Sequence, residues 1–183
     1  MPDEMVIRHC APTLASLKTG SLFSCPCETE RELMAGIRSL NRRLCRKGLR
    51  FLPLRRRDGC CLVYVYRPER LARDLSAPQA QAILHGCGYP SGDTGACLRR
   101  LCERLRTSEA FPHEIGLFLG YPLSDVIGFI ENKGWNYTCC GCWKSYGDPE
   151  EAQAYFDLCR QCTSRYCALY AGGASVLHLV VAA

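Results

Sequence analysis

Residues 49–66 have the sequence LRFLPLRRRDGCCLVYVY, in which two strand-like runs flank a tight turn at residues 57–59. Apolar and β-branched runs joined by an Asp-Gly turn predict a β-hairpin. The second run, residues 60–66, is apolar or aromatic on both faces, so we expect it to be a buried central strand. Pro53 has no N–H for the sheet ladder, which predicts an edge position for the first run.

Helical periodicity surrounds this hairpin. Four leucine or isoleucine side chains recur at spacings of four, three and four residues within 28–46, which predicts a helix there. Further helices are expected at residues 68–75, 77–86, 94–107, 111–132 (two short helices with a break at 120–122) and 149–170. Short strands are expected at residues 5–10 and 176–181. We therefore predict an α+β fold, helix-dominated, with a small sheet that contains the hairpin.

The length and composition predict one domain over residues 1–183. Within it we expect an α+β body at residues 1–110 and a helical, cysteine-rich third at 111–170. The net charge of +5 is too small to require a polyanionic partner. No window is long and apolar enough to cross a bilayer, so we expect no membrane partner. The first residues lack the apolar core of a signal peptide, which favours a cytoplasmic location.

Fifteen cysteines make this chain cysteine-rich, and four of them are spaced as metal ligands. Cys139-x-x-Cys142 is followed, after 16 residues, by Cys159-x-x-Cys162. Two such pairs at this separation are typical of a four-thiolate zinc site, and thiolates also bind iron. The alternative is that Cys159 and Cys162 lie on the core-facing stripe of the last helix, where cysteine acts as a small hydrophobic residue.

A cysteine-dependent hydrolase or transferase is a second interpretation. It needs a thiolate, a histidine base and an orienting group. Cys10 and His113 are the best available pair, with Glu114 or Asp125 as the third member. The alternative is that His113 is a structural residue at the start of a helix.

A third interpretation is an adaptor that binds nucleic acid or protein. Residues 42–57 hold a dense basic patch, and Tyr64 and Tyr66 are candidates for stacking on bases. The alternative is that the patch is a solvated surface. The sequence does not identify a physiological partner or an oligomeric state.

Several motifs carry a resemblance to a known family. They are HEIGLFLGYP at residues 113–122, HCAPTL at 9–14 and the Trp143-Lys144-x-Tyr146 motif. The chain resembles an uncharacterised bacterial family that is catalogued only as a domain of unknown function. The resemblance implies a single intracellular domain with no assigned activity. The family motifs do not include the cysteine run at residues 139–142, so the resemblance assigns this run no role.

Together these observations favour a non-catalytic intracellular protein with a thiolate site for zinc or iron. The metal would either stabilise the structure or allow the protein to sense metal supply or redox state. The sequence leaves open whether the protein is an enzyme, since the Cys10 and His113 pair and the basic patch remain alternatives.

Overall fold

The computed structural model describes residues 2–108 and 110–182 and confirms the α+β fold class. Helices dominate, and a three-stranded antiparallel sheet contains the predicted hairpin. The helices are α1 (Asp3–Leu14), α2 (Glu30–Leu44), α3 (Pro68–Ser76), α4 (Pro78–Gly86), α5 (Thr94–Thr107), α6 (Ile115–Leu119), α7 (Leu123–Glu131), α8 (Pro149–Ala171) and α9 (Val176–Leu179). The strands are β1 (Gly20–Pro26), β2 (Arg50–Arg57), β3 (Cys60–Tyr66), β4 (Cys139–Cys140) and β5 (Lys144–Ser145).

The chain forms two compact units. Unit 1 extends to Leu71 and resumes at Gln161, and unit 2 spans Ala72–Arg160. The internal boundary predicted from the sequence lies near residue 110, whereas the two units of the structure divide after Leu71 and inside α8. Whether residues 1–183 act as one domain stays a prediction.

The sheet of unit 1 has the order β1-β3-β2, with β3 central as predicted. The hairpin turns at Asp58 and Gly59, whose φ values of 50° and 73° both lie in the left-handed region. Such a turn matches the twist of the strands that it joins. Pro53 lies in the edge strand β2, as expected, and the register shifts between Pro53 and Arg55. The missing N–H of proline is tolerated at a sheet edge.

Apolar side chains of α1, α2, α9 and one sheet face form the core of unit 1. The α2 residues that supplied the helical periodicity are all buried: Leu33, Ile37, Leu40 and Leu44. The side chain of Thr29 caps the helix by accepting a hydrogen bond from the Glu32 N–H. The sequence predicted the buried apolar stripe, and the structure adds the Thr29 cap at the start of the helix.

Two predicted strands are wrong. Residues 5–10 belong to α1, where Val6, Ile7 and Cys10 are buried at helical spacing. Acidic residues in the first turn also suit the helix dipole. Residues 176–181 were predicted as a closing strand, but α9 occupies most of them. The side chain of Ser175 caps α9 by accepting a hydrogen bond from His178 N–H.

Unit 2 contains α5, the paired helices α6 and α7, and the β4–β5 hairpin. The break between α6 and α7 falls at Gly120, whose φ of 71° ends α6 as the sequence predicted. Asp148 caps α8 by accepting hydrogen bonds from the N–H groups of Glu150 and Glu151. Among the helices that the structure describes, none has both the length and the apolar character needed to span a bilayer.

Candidate functional site

The cysteine loop, residues 138–147, holds the first predicted thiol pair in a tight hairpin turn of unit 2. Cys139 pairs with Ser145 across the two short strands, and the Gly141 N–H donates to the Trp143 carbonyl over 3.0 Å. Gly141 lies against α8, where a β-carbon would overlap the ring of Phe156. Glycine at this position therefore lets the backbone of the loop contact the helix closely.

Asp125 on α7 fixes the far side of the cysteine loop. Its side chain is 4 % exposed. One carboxylate oxygen accepts hydrogen bonds from Ser145 Oγ (3.0 Å), Tyr146 N–H (2.7 Å) and Gly147 N–H (3.2 Å). The other accepts a hydrogen bond of 2.7 Å from Trp143 Nε1. A buried carboxylate with four donors is fully satisfied and holds the loop in one conformation.

Aromatic rings pack the cysteine loop against its surroundings in unit 2. Trp143 is the centre of the group. Its ring stacks on Tyr121 at 4.6 Å and meets the edge of Phe156 at 4.7 Å. Tyr155 lies 5.4 Å from the same ring. The loop and the first part of α8 thus share one aromatic surface.

The four predicted metal ligands are distributed over this loop and α8. Cys139 is half-buried, and its Sγ lies 3.8 Å from Gln153 Oε1 on α8. Cys142 is exposed, Cys159 is buried and Cys162 is half-buried. Cys139, Cys142 and Cys159 belong to unit 2, whereas Cys162 belongs to unit 1.

Two of these thiols influence the same phenol. Burial, together with the neighbouring thiols of Cys142 and Cys159, raises the pKa of Tyr121 to about 12. One thiol of the loop and one of the helix therefore both contribute to the electrostatic environment of this phenol. Within residues 2–108 and 110–182, however, no three His, Cys, Asp or Glu side chains are grouped to hold a metal ion. The four-thiolate site therefore stays a prediction.

The two residues of the alternative catalytic pair, Cys10 and His113, differ in exposure. Cys10 is fully buried in unit 1, and burial raises the pKa of its thiol. A catalytic cysteine needs the opposite, because the thiolate is the nucleophile. His113 is exposed in unit 2, and its ring lies 5.1 Å from that of Phe129. Cys10 and His113 belong to different units, and their pairing stays a prediction.

The two carboxylates considered as a third catalytic member have other partners. Asp125 binds the cysteine loop. Glu114 is 3 % exposed and accepts a hydrogen bond of 2.8 Å from the Tyr89 hydroxyl. Its Oε1 also lies 2.9 Å from Arg104 Nε. Both carboxylates therefore act as structural anchors within unit 2.

The burial of Cys10 predicts slow alkylation. In the reduced native protein at neutral pH, we expect iodoacetamide to modify the exposed Cys140 and Cys142 at least about 100-fold faster than Cys10. Peptide mass spectrometry over a time course measures the rates, and the same reaction in guanidinium chloride should remove the difference. Rapid native modification of Cys10 would contradict the burial argument and favour the enzyme interpretation.

Part of the predicted basic patch is occupied by local partners. Arg43 forms a 2.8 Å ion pair with Asp3, and Arg57 lies 3.3 Å from Asp58. Tyr64 is 1 % exposed and its ring stacks on Tyr66 at 4.8 Å. The expectation that both tyrosines are available for base stacking is therefore wrong for Tyr64.

The role of Asp125 as a loop anchor was missed from the sequence. Its signal is an acidic residue at the start of the otherwise apolar run DVIGFI, residues 125–130. A buried carboxylate requires donors, but the sequence does not say that a loop 20 residues later supplies them.

Comparison with known proteins places the chain in a family without an assigned activity. No curated protein and no solved structure matches it. A family model described as "Protein of unknown function (DUF3793)" matches residues 6–180. Because this match covers nearly the whole chain and agrees with the resemblance of its motifs to an uncharacterised family, the chain belongs to the DUF3793 family.

Proposed function

We propose that this chain is a non-catalytic cytoplasmic protein that binds one zinc or iron ion through Cys139, Cys142, Cys159 and Cys162. The ion would stabilise the contact between the cysteine loop and α8, or would report on metal supply or redox state. In the part of the chain that the structure describes, none of the cysteines forms a disulfide, which suits a reducing compartment.

The packing of the cysteine loop on α8 carries this proposal. Cys139 Sγ contacts a side chain of α8, and the thiols of Cys142 and Cys159 both act on the Tyr121 phenol. Cys159 and Cys162 are three residues apart on one helix, so their side chains share a face. Thiolates of such a loop and such a helix face would supply four soft ligands for a tetrahedral ion.

Cobalt binding tests the proposal. The reduced full chain, titrated anaerobically with Co²⁺, should bind one ion with the near-ultraviolet absorption of cobalt–thiolate bonds. Because three thiolates hold the ion less tightly than four, Cys139→Ser and Cys142→Ser should each weaken Co²⁺ binding by at least about 100-fold. Competition with Zn²⁺ should bleach the absorption.

Cys140→Ser is the matched control, because Cys140 is an exposed thiol in the same loop. It should leave the stoichiometry and affinity unchanged. Substitution of the loop thiols avoids disturbing the buried Cys159. Absence of stoichiometric binding, or an equal loss in Cys140→Ser, would overturn the proposal.

A further inference from the structure

The outward surface of α2 carries a row of arginines, which we name the arginine face. It consists of Arg31, Arg38 and Arg42 on α2 and Arg46 in the following 3-10 turn, Cys45–Lys47. At about 100° per residue, the three arginines on α2 lie within about 40° of one another and opposite the buried leucine stripe. All four side chains belong to exposed residues of unit 1.

The arginine face has no internal counter-charge. Unlike Arg43, which pairs with Asp3, none of its four guanidinium groups has an ion-pair or hydrogen-bond partner in the part of the chain that the structure describes. Solvent-exposed guanidinium groups without partners are free to bind an external anion in the two-point manner that suits phosphate.

The two units differ in charge. Unit 1 contains fifteen Lys and Arg against seven Asp and Glu, so its formal charge is +8. Unit 2 contains eight Lys and Arg against eleven Asp and Glu, a charge of −3. The net charge of the whole chain, +5, is therefore smaller than that of unit 1 alone. A unit this basic attracts polyanions.

The composition of the arginine face favours nucleic acid over a lipid surface. A helix that lies on a membrane presents large apolar side chains beside its basic residues. Among the described residues of α2, β2 and the turn between them, no large apolar side chain is exposed. From Arg31 to Arg46 the face extends for about 22 Å, a length over which one DNA strand presents about six phosphates.

We propose that the arginine face binds the phosphate backbone of duplex nucleic acid, without reading the base sequence. The face offers no amide or carboxylate, the groups that read adenine and cytosine edges, and most hydrogen bonds between proteins and a duplex go to phosphate and sugar. The burial of Tyr64 likewise removes one of the two predicted stacking rings. This inference does not depend on the proposed metal site.

Fluorescence anisotropy with a mixed-sequence 20-base-pair DNA duplex and the reduced full chain tests the inference. With four phosphate contacts, the logarithm of the association constant should fall with the logarithm of salt concentration at a slope of about −3.6. Arg38→Gln/Arg42→Gln should reduce that slope by about 2 and weaken binding at low salt by at least about tenfold. A duplex of unrelated sequence should bind equally.

Arg43→Gln is the matched control for Arg42→Gln, because it removes the same charge from the adjacent position. We expect Arg42→Gln to weaken binding several-fold more than Arg43→Gln. Circular dichroism should show that all variants keep their helix content. Equal losses in the two variants, no binding at low salt, or stronger binding to phosphatidylserine vesicles than to the duplex would each overturn the inference.

Discussion

Replacement of Asp125 by alanine is expected to lower the free energy of unfolding of unit 2 by about 3–5 kcal/mol. The substitution removes the acceptor for four hydrogen bonds, two of them from side chains and two from backbone N–H groups. Ser145 is buried, so its hydroxyl would lose a partner that water cannot easily replace. The cysteine loop should then lose its fixed conformation.

Tryptophan fluorescence during urea unfolding measures this effect, because both tryptophans of the chain, Trp135 and Trp143, lie in unit 2. Asp125→Asn refines the test. Its amide oxygen still accepts from the Ser145, Tyr146 and Gly147 donors, but its NH₂ group faces the Trp143 N–H. It should therefore cost less than Asp125→Ala, about 2 kcal/mol.

Asp157→Ala is the control for the alanine substitution, because Asp157 is a partly exposed partner of Arg160 on α8. It should change the stability by less than about 1 kcal/mol. If Asp125→Ala is no more destabilising than Asp157→Ala, the carboxylate does not anchor the loop.

The elements that the sequence predicted well are those with strong local signals. The α2 helix has an apolar stripe at helical spacing, and β3 is apolar on both faces. The prediction of a strand at residues 5–10 was wrong because a short apolar run is compatible with a strand and with a buried helix equally. The buried side chains of α1 belong to one core cluster with residues far along the chain, including Val63 and Val176.

The sequence likewise predicted some features of the candidate site and missed others. The spacing of Cys139 and Cys142 predicted a pair of metal ligands. The structure has a tight hairpin turn at these residues, and the binding of one ion by the two thiols stays a prediction. The helical spacing of α8 predicted, as the alternative to a metal ligand, that Cys159 faces the core, and Cys159 is buried. The sequence could not show that Gly141 packs on Phe156 or that Cys139 contacts Gln153. Those facts depend on the packing of the loop on α8, which no local pattern encodes.

Arg67 is a residue of unit 1 whose substitution we expect to destabilise that unit strongly. The residue is 3 % exposed, and burial lowers the pKa of its guanidinium group. Its Nε donates to the Thr13 carbonyl, and one terminal nitrogen donates to the carbonyls of Leu14 and Val181, all over 2.8 Å. One buried side chain therefore joins the end of α1 to the segment after α9.

Arg67→Met is expected to lower the free energy of unfolding of unit 1 by about 2–4 kcal/mol. Methionine keeps much of the apolar stem, so the loss reports mainly on the three hydrogen bonds. The substitution also removes the cost of keeping a charged group buried. The expected loss of stability is therefore smaller than the sum of three hydrogen bonds from a charged donor. Arg67→Lys should be intermediate, since it keeps the charge but not the forked geometry.

Alkylation of Cys10 in urea measures the stability of unit 1, because this thiol is fully buried there and reacts only after opening. The control is Arg56→Met, which removes a single hydrogen bond from an exposed arginine to the Glu28 carbonyl. Arg67→Met should expose Cys10 at a lower urea concentration than either the parent protein or Arg56→Met. Unchanged protection of Cys10 would mean that the packing of α1 in the core, and not the guanidinium group, holds the end of the helix in place.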